Sequence, residues 1–167
     1  HKEYRRQRQM CIRDRACTLA IGISADAIVR GLQAFAPVSG RLQRKHAANG
    51  ALVIDDTYNA NPDSVRAAID VLAQISAPRI LVLGDMGEVG NDGQQYHEEI
   101  GAYARSKGIE HVLALGDMTR YIVSAFGSGA NHYDSVEELN NALAGIFTAD
   151  ATAVSYTHLT LPTILLV

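Results

Sequence analysis

The sequence lacks the residue patterns that mark disulfide-rich and metal-binding proteins. It has no tryptophan, 6% aromatic residues and only two cysteines, Cys11 and Cys17, among 167 residues. Two cysteines six positions apart form neither a disulfide framework nor a metal pattern, and the six histidines show no pair at metal-ligand spacing. We therefore expect an aliphatic core, no metal site and a reducing, cytoplasmic location.

The chain also lacks the charge and the long hydrophobic runs that nucleic-acid or membrane binding would need. Its net charge is −3, and residues 1–15 hold six of the basic and only two of the acidic residues, so the rest is strongly acidic. No apolar stretch of signal-peptide length follows the basic N-terminus, and residues 159–167 are too few to span a bilayer. We expect neither nucleic acid nor a membrane as a partner.

Several catalytic signatures are missing as well. There is no Gly-x-Gly-x-x-Gly segment, no phosphate-binding Gly-x-x-x-x-Gly-Lys-Ser/Thr loop and no Gly-x-Ser-x-Gly elbow. His97, Glu98 and Glu99 are consecutive on a predicted helix. A solvated helix face is the favoured interpretation, and a loop-facing contact in a functional site is the alternative.

What is present is an alternation of strand and helix patterns. The Asn49-Gly50 pair predicts a hairpin between residues 41–48 and 51–55, and continuous apolar runs predict buried strands at 79–84 and 111–116. Strands alternating with helices predict an α/β protein with a doubly wound, mostly parallel sheet and an N-terminal hairpin. The remaining predicted elements are helices at 25–35 (capped by Ser24), 62–76, 94–107, 118–126 and 135–147, and short strands at 131–134 and from 151. Ser135 and Glu138 form a predicted capping box at the start of the last helix.

Acidic residues follow three of the predicted strands, at Asp55-Asp56, Gly84-Asp85 and Gly116-Asp117. The carboxyl ends of parallel strands meet at one edge of a sheet, so these residues are expected to line one crevice. An acidic pair there, next to a helix N-terminus, is a place to hold a ribose, a metal or a phosphate. The alternative for residues 54–64 is an Asx-rich turn whose side chains cap the next helix.

Asp55 and Asp56 are expected to play different parts, because successive strand residues point to opposite sides. One would cap the following helix while the other faces the crevice. Arg41 follows Gly40 at the exit of a linker. Its guanidinium would stack on a base or pair with phosphate, or else form an ordinary surface ion pair.

The two ends of the chain differ from its middle. Residues 1–15 have no hydrophobic period, and residues 155–167 carry no acidic or basic side chain other than a histidine. Both segments resemble translated sequencing-adapter read-through, and a native basic arm and a native edge strand are the alternatives. We expect both ends to be foreign and the last strand to be cut short after Val154.

Three segments, Gly40-Arg41-Leu42, residues 55–64 (DDTYNANPDS) and residues 83–90 (LGDMGEVG), resemble the Mur ligase family in order and spacing. The resemblance covers residues 16–154 and is to the member that joins D-alanyl-D-alanine to UDP-N-acetylmuramoyl-tripeptide in peptidoglycan synthesis. It implies that residues 38–154 form the Rossmann-like C-terminal lid domain, and that residues 16–37 are the last helix of the central ATPase domain and a hinge. The parent enzyme would be monomeric and would use ATP and Mg²⁺.

The resemblance also implies site residues. Nucleotide contacts fall on Arg41 and Asp56. A loop facing the dipeptide or the nucleotide contains Tyr58, Asn59 and Asn61, and a motif loop of unassigned role contains Asp85, Met86 and Glu88. The family's phosphate loop, magnesium ligands and modified lysine are absent from this sequence, so no catalytic set is complete. We expect the chain alone to be inactive and to bind ATP negligibly.

Two other functions remain as alternatives. A receiver-like signalling module also has an acidic pair after its first strand, but it needs a lysine after a late strand, and the last lysine here is Lys107. A non-catalytic interaction domain would predict that Asp56→Ala leaves the parent's activity intact.

Overall fold

The computed structural model describes residues 15–34, 40–41, 43–58, 61–87 and 89–156. The chain divides into two compact units, His1–Pro37 and Val38–Val167. In the first unit, residues 15–20 are helical, and helix α1 (Ala25–Gln33) begins at Ser24, whose side chain accepts a hydrogen bond from the Ala27 amide. The predicted cap is confirmed, and the predicted end at Phe35 lies outside the described residues.

The second unit is built on a six-stranded sheet in the order β1-β2-β6-β3-β4-β5. The first two strands form the predicted antiparallel hairpin, and all other neighbouring strands are parallel. The predicted sheet class is therefore confirmed. The strands are β1 (Gln43–His46), β2 (Leu52–Asp56), β3 (Arg79–Gly84), β4 (His111–Leu115), β5 (Ala130–Tyr133) and β6 (Thr152–Tyr156).

The last strand extends two residues into the segment expected to be foreign. Strand β6 runs through Tyr156, which is 1% exposed. The expectation that the strand is cut short after Val154 is therefore wrong. A strand that is buried on both faces requires small or apolar side chains, whatever their origin. Ser155 and Tyr156 meet that requirement. The origin of residues 155–167 stays a prediction, and residues 157–167 lie outside the described part.

Helices cover both faces of the sheet. Alternation along β3 directs Leu81 and Leu83 into one apolar cluster, and Ile80 and Val82 into another. The first cluster is covered by α2 (Pro62–Leu72), α3 (Gly93–Ser106) and α4 (Thr119–Phe126), and the second by α5 (Val136–Ile146). The sheet is thus doubly wound. None of the described helices has the length and apolar character needed to cross a membrane.

Helix α2 ends four residues before its predicted end. The amides of Gln74 and Ile75 bond to carbonyls three residues back, which tightens the last turn. Pro78 follows and has no amide to continue a helix. The chain can then enter β3 at Arg79.

Candidate functional site

The carboxyl edge of the sheet carries the predicted acidic residues. Asp56 ends β2, Asp85 follows β3, and Asp117 follows β4 at an exposed position. Strand β6 lies between β2 and β3. The loop after β2 is therefore separated from the loop after β3 by one strand, although β2 and β3 are consecutive in the sequence. The three loops share one edge, as predicted.

Asp55 is a structural residue of the hairpin. It is buried, forms an ion pair with Lys45 of β1, and accepts a 2.7 Å hydrogen bond from the Thr57 hydroxyl. Burial acts to raise the pKa of Asp55, but the hydrogen bonds from Lys45 and Thr57 outweigh it and leave that pKa below its ordinary value. This carboxylate is therefore ionised and already partnered.

Asp56 is half-buried and interacts with β6. The Tyr156 hydroxyl donates a hydrogen bond to the Asp56 carboxylate and also interacts with the Ser64 side chain. Burial raises the pKa of Tyr156, the Ser64 contact lowers it by less, and the Asp56 charge raises it further. The predicted nucleotide-binding carboxylate thus lies beside the start of α2, as the sequence indicated.

Helix α2 is capped by Asn61, and the prediction that one of the two aspartates caps it is wrong. The Asn61 side chain accepts a 2.9 Å hydrogen bond from the Ser64 amide, and Ser64 Oγ accepts from the Asn61 amide at 3.2 Å. Asn61 occupies the N-cap because Pro62 is the first helical residue. Asn61 therefore fits the turn-and-cap interpretation, and Asn59 lies outside the described residues.

Arg41 lies against the loop that follows β2. Gly40 has a φ of +75° and accepts a 3.0 Å hydrogen bond from the Tyr58 amide. A Cβ at Gly40 would lie 3.1 Å from the Tyr58 nitrogen, so only glycine fits without a shift. The Arg41 guanidinium carbon is then 4.2 Å from the centroid of the Tyr58 ring, which is a cation–π contact. Tyr58 is 60% exposed, so this pair presents a planar cationic surface in the loop that follows Asp56.

Asp85 connects the loops after β3 and β4. Its Oδ1 accepts 3.0 Å hydrogen bonds from the amides of Met118 and Thr119, at the N-terminus of α4. A carboxylate is favourable there because the helix dipole and the free amides attract negative charge. A Cβ at Gly116 would lie 2.5 Å from the Asp85 carboxylate, so the two loops are in close contact.

Met86 is a core residue, 4% exposed, and Glu88 lies outside the described residues. The Met86 amide donates a 3.1 Å hydrogen bond to Nε2 of His97, which is fully buried. The favoured interpretation of His97 as part of a solvated face is wrong, because its ring contacts the loop after β3. The alternative of a contact within a site stays a prediction. The spacing to Ile100 and Ala104 places His97 on the apolar side of α3, and this period could have shown it.

Among the residues that the structure describes, no three histidine, cysteine, aspartate or glutamate side chains are placed to hold a metal ion. For a nucleotide, the half-buried carboxylate of Asp56 and the exposed Arg41–Tyr58 pair fit hydroxyl groups and a planar base.

The fold and the site together define a doubly wound α/β domain with acidic loops along the carboxyl edge of its sheet. A sequence model of the family described as "Mur ligase, glutamate ligase domain" matches residues 40–155. The chain belongs to the Mur ligase family, and these residues are its C-terminal domain. This match leaves the receiver-like alternative without support.

Relatives of known name agree with this assignment. The chain is 39% identical over 119 residues to the UDP-N-acetylmuramoyl-tripeptide–D-alanyl-D-alanine ligase of Escherichia coli K12, a match covering 71% of this chain and 26% of that protein. It is 36% identical over 132 residues to the ligase of the same name from Buchnera aphidicola subsp. Acyrthosiphon pisum, covering 79% and 29%. The chain therefore spans between a quarter and a third of the length of these relatives.

Solved structures share the fold. One MurF structure from Acinetobacter baumannii has a TM-score of 0.74 at 29% identity, covering 89% of this chain and 33% of that one. MurF ligase from Thermotoga maritima in complex with ADP has a TM-score of 0.75, covering 89% and 34%. Its identity is 21%, so this second likeness shows the fold alone.

Proposed function

We propose that this chain is the C-terminal lid domain of an ATP-dependent ligase that adds D-alanyl-D-alanine to UDP-N-acetylmuramoyl-tripeptide in peptidoglycan synthesis. The names of the relatives support the reaction, and the match to the C-terminal domain supports the place in the parent. The observation that carries the site proposal is the Arg41–Tyr58 stack at the loop that follows Asp56. A cytoplasmic location and a monomeric parent are parts of the same proposal.

Asp56 and Arg41 would be the nucleotide contacts. A carboxylate accepts hydrogen bonds from two neighbouring hydroxyl groups, which suits a ribose. The Arg41 guanidinium, lying on Tyr58, offers one planar face to a base and its N–H groups to a phosphate. ATP, when bound, would supply the phosphoryl group that activates the carboxylate of the peptide substrate. Tyr58 would face the nucleotide or the dipeptide.

The chain alone is proposed to be inactive, because catalysis by such a ligase depends on holding three reactants together. The first experiment mixes the isolated chain with ATP, Mg²⁺, UDP-N-acetylmuramoyl-tripeptide and D-alanyl-D-alanine. No dipeptide-dependent release of phosphate is expected. Turnover above the background without dipeptide would contradict the proposal of inactivity.

A chimera tests the function itself. Residues 40–154 of this chain replace the matching segment of the E. coli ligase, which keeps its own other domains and its own C-terminal continuation. Dipeptide-dependent ATP hydrolysis is expected to return, whereas the E. coli ligase lacking this domain should show none. A folded chimera that binds the UDP-linked peptide but never hydrolyses ATP in response to the dipeptide would contradict the proposal.

A further inference from the structure

His97 is fully buried, and both of its ring nitrogens contact backbone groups. Nδ1 lies 2.7 Å from the Gly93 carbonyl oxygen, and Nε2 lies 3.1 Å from the Met86 amide nitrogen. A carbonyl only accepts a hydrogen bond and a backbone amide only donates one. The two contacts can be satisfied together only by a neutral ring with its proton on Nδ1.

These two bonds join different parts of the chain. Gly93 is in the first turn of α3, while Met86 is in the loop that follows β3. Asp85, the residue before Met86, binds the N-terminus of α4. His97 therefore connects to the loop after β3, which in turn is connected to the loop after β4.

Packing around Gly93 brings the same segments together. A Cβ at Gly93 would lie 3.2 Å from Met118 Cε and 3.3 Å from Val89 Cγ2. Met118 belongs to the loop after β4, and Val89 belongs to the loop after β3. The start of α3, which His97 binds through Nδ1, is thus packed between the two loops.

We propose that His97 is a positioning residue that holds Met86, and with it Asp85, in one conformation through a single tautomer. The loop then keeps Asp85 at the start of α4, and the two loops form one rigid rim at the carboxyl edge of the sheet. Only the position of this rim beside a nucleotide rests on the proposed function. The loop contact itself is measured without ligase activity, so failure of the proposed function leaves its test unchanged.

The first test is spectroscopic and uses the full chain. Long-range proton–nitrogen NMR spectra distinguish a protonated ring nitrogen from an unprotonated one. At neutral pH, Nδ1 of His97 is expected to show the shift of a protonated nitrogen and Nε2 that of an unprotonated acceptor. A proton on Nε2, or signals averaged between the two tautomers, would overturn the proposal.

The second test separates the two hydrogen bonds by substitution in the full chain. In His97→Gln, the side-chain oxygen reaches the position of Nε2 and accepts from the Met86 amide. In His97→Asn, the side-chain nitrogen reaches only the position of Nδ1 and keeps the bond to Gly93. Amide hydrogen exchange at Met86 is expected to accelerate about tenfold or more in His97→Asn, but to stay within about twofold of the wild type in His97→Gln.

Ala102→Gly serves as the control, because Ala102 is an exposed position of α3 that lies more than one turn after His97. It weakens the helix without removing either bond of His97. Met86 exchange is expected to be unchanged in this variant. Equal exchange in the Gln and Asn variants, or acceleration by Ala102→Gly as large as by His97→Asn, would show that His97 acts only through general stability.

Discussion

At the scale of single residues, the Lys45–Asp55 ion pair joins β1 to β2 just before the candidate site. In Lys45→Met, a buried carboxylate loses its charged partner, and the free energy of unfolding at pH 7 is expected to fall by about 1–3 kcal/mol. Urea unfolding measures this. Lys107→Met is the matched control, since the Lys107–Asp70 pair is more exposed and should contribute less.

The same pair predicts a dependence on acid. The folded pKa of Asp55 is lowered, so its stabilising contribution is present above the unfolded pKa of about 3.9 and is lost as the pH falls through the folded pKa. Removing Lys45 raises the folded pKa, so the acid unfolding midpoint of Lys45→Met should lie at a higher pH than that of the wild type. An unchanged midpoint would contradict the role assigned to this pair.

Tyr156 predicts a dependence on base. Its folded pKa is raised by burial and by Asp56, so its contribution is complete below the unfolded pKa of about 10 and decreases as the pH rises above it. The wild type should therefore lose stability above about pH 10, and Tyr156→Phe should lose less over the same range. Equal slopes of unfolding free energy against pH in both proteins would show that Tyr156 is not protonated preferentially in the fold.

Side-chain contacts that depend on strand pairing could not be predicted from the sequence. Asp55 and Asp56 were correctly expected to differ, because alternation along a strand is a local rule. Their partners were not predicted, since Lys45 and Tyr156 are close to them only through strand pairing. For His97, the two neighbouring glutamates favour an exposed position, whereas the apolar period with Ile100 and Ala104 indicates the buried side that the ring occupies.

At the scale of elements, the crossing of α3 and α4 is unusually close at Gly101. A Cβ there would lie 2.3 Å from the Ile122 carbonyl oxygen, which is backbone and cannot turn away. Gly101→Ala is therefore expected to destabilise the fold by about 1–3 kcal/mol through overpacking. Chemical denaturation of the full chain measures the loss.

Gly145→Ala is the matched control for this crossing. Gly145 lies in α5, and a Cβ there would meet nothing within 4 Å. The same substitution should stabilise the protein by about 0.5–1 kcal/mol, because alanine favours a helix over glycine. Stabilisation by both alanine variants would contradict the close contact between α3 and α4 at Gly101.

Elements with strong local signals were predicted well. Strand β3 has the predicted bounds because a continuous apolar run lies between Pro78 and Asp85. The cap of α5 is Ser135, as predicted, although the Glu138 side chain accepts from the Asp134 amide. The position of β6 between β2 and β3 could not be predicted, because strand order depends on packing between distant segments and not on local pattern.

At the scale of the whole molecule, Arg41, Tyr58 and Asp56 are proposed to lie on the nucleotide-facing side of a lid. In the chimera with the E. coli ligase, Asp56→Asn and Arg41→Ala should each raise KM for ATP about tenfold or more, since each removes a charged hydrogen bond. Asp63→Asn is the control, because Asp63 is an exposed carboxylate in the first turn of α2.

The most direct measurement is KM for ATP in dipeptide-dependent phosphate release by the chimera and its Asp56→Asn variant. The account predicts a large increase in KM for Asp56→Asn and no change for Asp63→Asn. An active chimera in which Asp56→Asn leaves both KM and kcat unchanged would contradict the assignment of this edge to a nucleotide.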